Sequence, residues 1–340
     1  MKLLTYQLGA VSSQRLGTLV RVPQHPDTNL VLDLRQAYSS YLQSQDDPFA
    51  EPIAAIRIPS DVRQYLEGGE RSQEAVRHAL EYVEAAAPAE IECLFAHGAL
   101  LPLESVRLLA PIARPCKIIA VGANYASHVQ EAREAGVLRD LPNHPVGFLK
   151  MPSSVTGPDS DIVRSRYTEE LDYEIELAMV IGTRCRNVSR ENWREVVAGF
   201  TIVNDISMRD LILSERALGV FYGKNLDTAC PLGPYIVTLD EFHDPNALDV
   251  CLRVNGVVRQ HDNTRNMIFS CAEILAYWSS RITLEPGDVI TTGTTGGVAG
   301  FGKRFPERLL KPGDIVEAEI EGIGVLRNRV VAEDSSAAHS

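Results

Sequence analysis

The sequence predicts an α+β protein, mainly β, with a smaller N-terminal α+β part and a larger strand-rich part. Three observations predict it. Two near-identical turn-strand units, residues 284–290 and 310–316, put Pro286 and Pro312 before Gly287 and Gly313, the order that a type II turn requires, and each runs into an apolar strand. Residues 1–35 alternate apolar and polar positions between turn signals at Gly9, Gly17 and Pro23 to Pro26, the pattern of a small antiparallel sheet. Stripes at helical spacing are few.

The elements follow in order. After the first sheet, Ser60 is an N-cap for a short helix through Leu66 that ends at Gly68 and Gly69. Ser72 caps the next helix, whose Ala75, Val76, Ala79, Leu80 and Val83 fall on one stripe. Residues 94–115, rich in Leu, Ala and Pro, read as a connection, so a boundary is placed near 112: an N-terminal α+β domain at 1–112 and a catalytic domain at 113–333. Beyond it, helices are expected at 189–197, with Trp193, Val196 and Val197 on one face, and at 271–279. The small polar tail 334–340 is expected to be disordered.

Composition narrows the function. At 340 residues with 45% hydrophobic residues, the chain can bury a sizeable core. A net charge of −12 argues against a nucleic-acid partner. No apolar run approaches the roughly 18 residues of a membrane span, and no secretory leader is visible. The six cysteines are scattered without C-x-x-C pairs, as buried or free thiols of a reducing compartment, so a cytoplasmic setting is expected.

The most informative stretch is 171–181, where Asp172, Glu174 and Glu176 alternate before an unbroken apolar run. On a strand they would project together about 6 to 7 Å apart, a like-charge arrangement that a divalent cation relieves. The solvated face of an edge strand would give the same pattern. Asp205 also ends an apolar run, and two glutamates with one aspartate make an all-oxygen set suited to Mg²⁺ or Mn²⁺. Residues 116–129 read as strand, turn at Gly122, then helix, on which His128 and Glu131 are neighbours; a carboxylate beside an imidazole suits a general base, although such pairs are common on surfaces. Lys224 also reads as a turn lysine paired with Asp227, and Lys150 as a solvated strand-end charge. The Gly-rich run 291–297 lacks the ending of a phosphate loop, so nucleotide binding is not expected; its backbone N–H groups suit a substrate carboxylate instead.

Together these residues resemble the fumarylacetoacetate hydrolase family. The motifs are G-x-N-Y-x-x-H-x-x-E at 122–131, F-L-K with P-S-S at 148–154, and Y-E-x-E-L at 173–177. N-D-x-S-x-R-D follows at 204–210, G-K-x-x-D-T-x-C-P-L-G-P at 223–234, and L-x-P-G-D-x-I-x-T-G-T at 284–294. The resemblance covers 116–326, and the first 110 residues are similar to the variable N-terminal domain of longer members. It implies a β-sandwich-like roll with a metal at its mouth held by Glu174, Glu176 and Asp205. His128 and Glu131 would activate water from a helix that orders over the substrate. Lys224 would stabilise an enolate or oxyanion, Lys150, Arg209 and Thr294 would line the pocket or hold substrate oxygens, and Tyr125 would support. A homodimer joining the β-rich domains is also implied.

Two positions depart from the family pattern. Ile212 stands where many members carry Gln, so polar recognition is not expected there and an apolar distal group on the substrate is. Thr295 stands where Pro is usual, a change expected to loosen the turn. The implied chemistry is metal-dependent hydrolysis of a C–C bond in an acylpyruvate or related β-diketo acid through a metal-stabilised enolate. The same scaffold would also serve isomerisation or tautomerisation, decarboxylation of oxaloacetate, or dehydration of a small 2-oxo acid, whereas a catalytically idle metal-binding scaffold would not need base, lysine and ligands together.

Overall fold

In the computed structural model, residues 1–9, 11–137, 140–215, 221–301 and 305–334 are described. The expected disordered tail lies outside them, apart from Asp334. The chain is α+β with more strand than helix. Twelve strands form one sheet, centred on Ile175–Ile181, which pairs antiparallel with Val197–Asn204 on one side and with Val289–Thr291 on the other. Five strands form a second sheet around Asp249–Val254 and Ile315–Ile320.

Period-two alternation explains how the layers stack. Ile175, Leu177, Met179 and Ile181 share a core with Val250, Leu252, Val316 and Ala318 of the second sheet. Ala178 and Val180 point the other way, into a core with Leu34, Ala54, Val62, Val76 and Ala79 from the N-terminal helices. A strand buried on both faces reads as continuous apolar sequence, and this one does.

The N-terminal strands Lys2–Gln7, Arg15–Val22 and His25–Asp33 form the expected antiparallel sheet. Lys2–Gln7 then pairs with Cys230–Thr238, so this sheet is an extension of the large one. Both Pro-Gly turns are as expected, with Gly287 at φ +83° and Gly313 at φ +100°, values that glycine adopts without strain. The helix Cys271–Ser279 is present, capped reciprocally by Ser270 and Glu273.

Four local expectations are corrected. Asp61, not Ser60, caps the helix Val62–Glu67 by accepting from the Gln64 amide, because a carboxylate is a charged acceptor at a helix N-terminus. Gly69, at φ +57°, bends the chain straight into Gly69–Ala85, so Ser72 lies buried inside a helix and caps nothing. Residues 94–115 are not mere connection: the helix Pro88–Ala96 ends there, and Leu100–Pro102 and Arg107–Leu109 add strands against His25–Asp33 and Lys2–Gln7. Finally, 189–197 is no α-helix; only Trp193–Glu195 makes a 3-10 turn, and Val197 already belongs to Val197–Asn204. Trp193 packs edge-on against Phe200 from that strand, a tertiary contact that overrides local periodicity. The helices Leu34–Ser44 and Ala50–Arg57 are additional to the expected elements, although Leu34, Ala37, Tyr38, Tyr41 and Leu42 fall on one stripe of the first and pack into the N-terminal core.

Among the described residues no helix is long and apolar enough to cross a membrane. All six cysteines are unpaired, with Cys93 and Cys116 exposed.

Candidate active site

The site forms where the central strands of the large sheet end. Ile175 is opposite Asn204 in the antiparallel register, which sets Glu174 across from Asp205, and the Asp205 amide donates to the Glu174 carbonyl at 2.8 Å. Glu176 lies one pleat further in on the same face. One carboxylate oxygen from each of Glu174, Glu176 and Asp205 comes within 4.8 Å of the others, and all three residues are buried.

Asp172 does not join them. The ladder breaks at Tyr173 and Glu174, and Asp172 belongs to a separate pairing of Leu171–Asp172 with Ser207–Met208. Its carboxylate instead accepts from the amides of Ala299 and Gly300 at 2.7 and 2.8 Å and from Arg209 Nε at 2.8 Å. The face rule therefore holds for Glu174 and Glu176 and fails one residue pair earlier, where the strand ends.

Three cations surround the triad. Lys224 Nζ lies 2.7 Å from Glu174 Oε2 and 2.6 Å from Asp205 Oδ2. It has no bond to Asp227 like the one a turn lysine would make. Arg209 bridges Asp172 and Glu174. Lys150 Nζ donates to Asp205 Oδ1 at 2.6 Å and to the Lys224 carbonyl. With its side chain fully enclosed, Lys150 lies behind the ligand set, where it orients Asp205, and it is not among the residues that line the cavity.

The electrostatics follow from these contacts. Burial raises the Glu174 pKa, but Lys224 and Arg209 outweigh it and hold the carboxyl well below the usual range. Burial, then the neighbouring Asp205 and Glu174 charges, push Glu176 well above its ordinary value. An uncompensated buried carboxylate of this kind is what a divalent ion would relieve. Ligands around a six-coordinate ion at about 2.1 Å stand roughly 3 to 4 Å apart, so the triad fits one with small adjustment.

The strand Ile118–Val121, the turn and the helix Ala126–Glu134 are formed as expected. Asn124, wholly buried, fixes the start of that helix by donating to the carbonyls of Phe269 and Thr292 and accepting from the Phe269 amide. His128 faces the cavity, and its buried Nδ1 has no hydrogen-bond partner. Burial lowers its pKa to about 4, offset only in part by Glu174, so the imidazole is neutral at pH 7. The expected dyad is not closed: both Glu131 oxygens accept from the Gly297 amide at 2.9 Å. Sequence adjacency placed the two on neighbouring turns, but the Gly-rich loop offers Glu131 a backbone donor.

The cavity has a volume of about 540 Å³, ordinary for a small-molecule site. Glu174, Glu176 and Asp205 line it with His128, Arg209, Ile212, Lys224 and Thr294. The Thr294 hydroxyl is already engaged, donating to the Ile175 carbonyl and accepting from Gln260. Gln260 also donates to the carbonyl and hydroxyl of Thr295, so Thr295 is buried and tied, and the turn is not loosened. Several lining residues went unrecognised in the sequence: Glu170, Phe221, Phe301 and Phe305 carry no local signal, and Phe148 lies inside a motif without revealing which way its ring points. Tyr125 is buried and pairs with Met267 in an isolated bridge, a supporting position.

A carboxylate triad with a lysine and a histidine lines one cavity at the end of a two-sheet roll, an all-oxygen donor set that a divalent ion would fit. The sequence model described as fumarylacetoacetate (FAA) hydrolase C-terminal matches residues 117–331, and the chain belongs to the fumarylacetoacetate hydrolase family. A mitochondrial oxaloacetate tautomerase of Homo sapiens is 39% identical over 274 residues, covering 81% of each chain. A fumarylacetoacetate hydrolase from Exiguobacterium antarcticum superposes with a TM-score of 0.70 at 33% identity, covering 98% of this chain and 100% of that one. A maleylpyruvate hydrolase from Sphingobium sp. SYK-6, solved with manganese(II) and pyruvate, gives 0.65 at 30% identity and the same coverage.

Proposed function

We propose that the protein is a Mg²⁺- or Mn²⁺-dependent hydrolase that cleaves a C–C bond of an acylpyruvate or related β-diketo acid by way of an enolate. The observation that carries this reading is the buried triad of Glu174, Glu176 and Asp205 in one cavity with Lys224 and a neutral, unpartnered His128. A divalent ion held by the triad would supply a Lewis acid for the carboxylate and keto oxygens of the substrate. His128, neutral at pH 7 and facing the cavity, takes a proton from water that attacks the distal carbonyl. Lys224 commits two donors to Glu174 and Asp205 and retains a third for an oxygen on which charge develops.

Keto–enol tautomerisation or isomerisation is a second reading. The bond from Gly297 to Glu131 favours it, since it leaves His128 able to move a proton at C3 without a carboxylate partner to drive water. The oxaloacetate tautomerase relative favours it too. The two separate on mass: hydrolysis of acetylpyruvate by the Mn²⁺-loaded protein releases pyruvate, whereas tautomerisation changes the enol absorbance of oxaloacetate with no change in mass. Enol conversion without pyruvate release from any acylpyruvate overturns the hydrolase assignment. The chain is further proposed to act in the cytoplasm as a homodimer joining the β-rich domains; a monomer in sedimentation at micromolar concentration would refute the dimer.

A further inference from the structure

Beside the carboxylate triad the large sheet ends early on one side, and a side chain from the second sheet takes the place of the missing strand. Ile175–Ile181 pairs with Val289–Thr291 only from Ala178 onward, so among the described residues Ile175 has no strand partner on that side. Ile175 sits between Glu174 and Glu176 and is wholly buried, where unpaired backbone groups are costly. Gln260 Oε1 accepts from the Ile175 amide at 3.1 Å, and the Thr294 hydroxyl donates to the Ile175 carbonyl at 3.0 Å. Gln260 Nε2 donates in turn to the Thr294 hydroxyl at 2.8 Å and to the Thr295 carbonyl at 3.0 Å. These bonds close a ring through Gln260, Ile175 and Thr294. Its polarity is fixed, because the Ile175 amide can only donate and the Thr295 carbonyl can only accept, so both ends of a carboxamide are required.

The second sheet is shaped to deliver this residue. Val257–Asn263 is an edge strand on which Val257, Val258 and His261 are exposed, whereas Gln260 is 1% exposed. Leu252 pairs with Gln260 but Arg253 pairs with Val258, which leaves Arg259 as an extra residue, a bulge of the kind that re-aims a side chain. Gly297 lies against that bulge. A Cβ there would stand 2.2 Å from the Arg259 carbonyl oxygen, so any larger residue would push the strand and its glutamine away. The Gly293 amide, next to Thr294, donates to Glu176 Oε2 at 3.1 Å and ties the same loop to a triad carboxylate.

Resting on the triad as the metal site, we propose that Gln260 is a positioning residue for the metal centre. It holds the backbone between Glu174 and Glu176, and so the spacing of their carboxylates, from outside the cavity lining. It also lies outside all six motifs.

Calorimetric titration of the full-length protein with Mn²⁺, together with deuterium exchange of the metal-free protein, tests this without relying on turnover. Gln260→Met, similar in length and without an N–H donor, should weaken Mn²⁺ binding about 10- to 100-fold, the usual effect of removing a group that orients metal ligands. Exchange at residues 174–177 should rise in the metal-free form. Thr294→Val keeps its shape but opens the same ring, so it should weaken Mn²⁺ binding several-fold and raise the same exchange; it decides the matter if Gln260→Met does not fold. Glu176→Ala is the control for the triad. Mn²⁺ binding that survives Glu176→Ala overturns the triad as the metal site, and the proposal falls with it. Loss of Mn²⁺ in Glu176→Ala, with parental affinity in a folded Gln260→Met protein even if it melts earlier, makes Gln260 a packing residue and overturns the positioning role alone.

Discussion

Replacing Asp172 gives the most demanding test of how the site is held. Its Oδ1 accepts from the amides of Ala299 and Tyr173 at 2.7 and 2.8 Å, and its Oδ2 from the amide of Gly300 at 2.8 Å. Arg209 completes the set through Nε at 2.8 Å and Nη2 at 2.7 Å. The residue is wholly buried, so no water replaces these bonds. Asp172→Ala leaves the amides of Tyr173, Ala299 and Gly300 without this acceptor and Arg209 with Glu174 as its remaining ion-pair partner. Removing one member of a buried ion pair costs about 3 to 5 kcal/mol. Asp172→Asn keeps one acceptor oxygen but turns an amide donor toward Gly300 or Arg209, so it should cost about 1.5 to 3 kcal/mol, one charge-assisted hydrogen bond. Urea unfolding followed by circular dichroism, with EDTA present so that metal binding does not contribute, reads both values. An Asp172→Ala protein within about 1 kcal/mol of the parent would refute the claim that this carboxylate anchors loop, arginine and ligand together.

Other expectations follow from the same contacts. Chelation should abolish activity, and Glu174→Ala, Glu176→Ala and Asp205→Ala should each lose Mn²⁺ on dialysis; full occupancy in all three would place the ion elsewhere. Lys150→Met should weaken metal affinity roughly 10- to 100-fold by releasing Asp205, and unchanged affinity by calorimetry would make Lys150 a packing residue only. His128→Ala should keep its metal and lose roughly 10² to 10⁴-fold in turnover. The folded-state pKa of His128, about 4 against 6.5 for the free side chain, also sets an acid response. Between those values the unfolded chain binds the extra proton, so stability is full above pH 6.5 and declines as pH falls toward 4. His128→Gln should blunt that decline in urea midpoints compared at pH 7 and 5; an equal decline in both proteins would assign it to other groups.

The amino-acid order by itself determined the features that are local. Glu174 and Glu176 share a face because a strand has period two, His128 rides on a helix that follows a turn, and the Pro-Gly turns launch strands; each depends on a few consecutive residues. Six motifs in order carried the family. Tertiary structure alone decided the rest, because it depends on partners distant along the chain. Asp172 differs from Glu174 only in lying beyond the point where the ladder breaks, and Ala299 and Gly300, more than 120 residues away, claim it. Glu131 is drawn from His128 by the Gly297 amide, and Lys150 is buried by Asp205 and the Lys224 carbonyl. The aromatic wall joins Phe148, Phe221 and Phe301 from three separate segments, and no local pattern announces that they meet. Backbone periodicity fixes which way a side chain points, but only packing decides what it finds there.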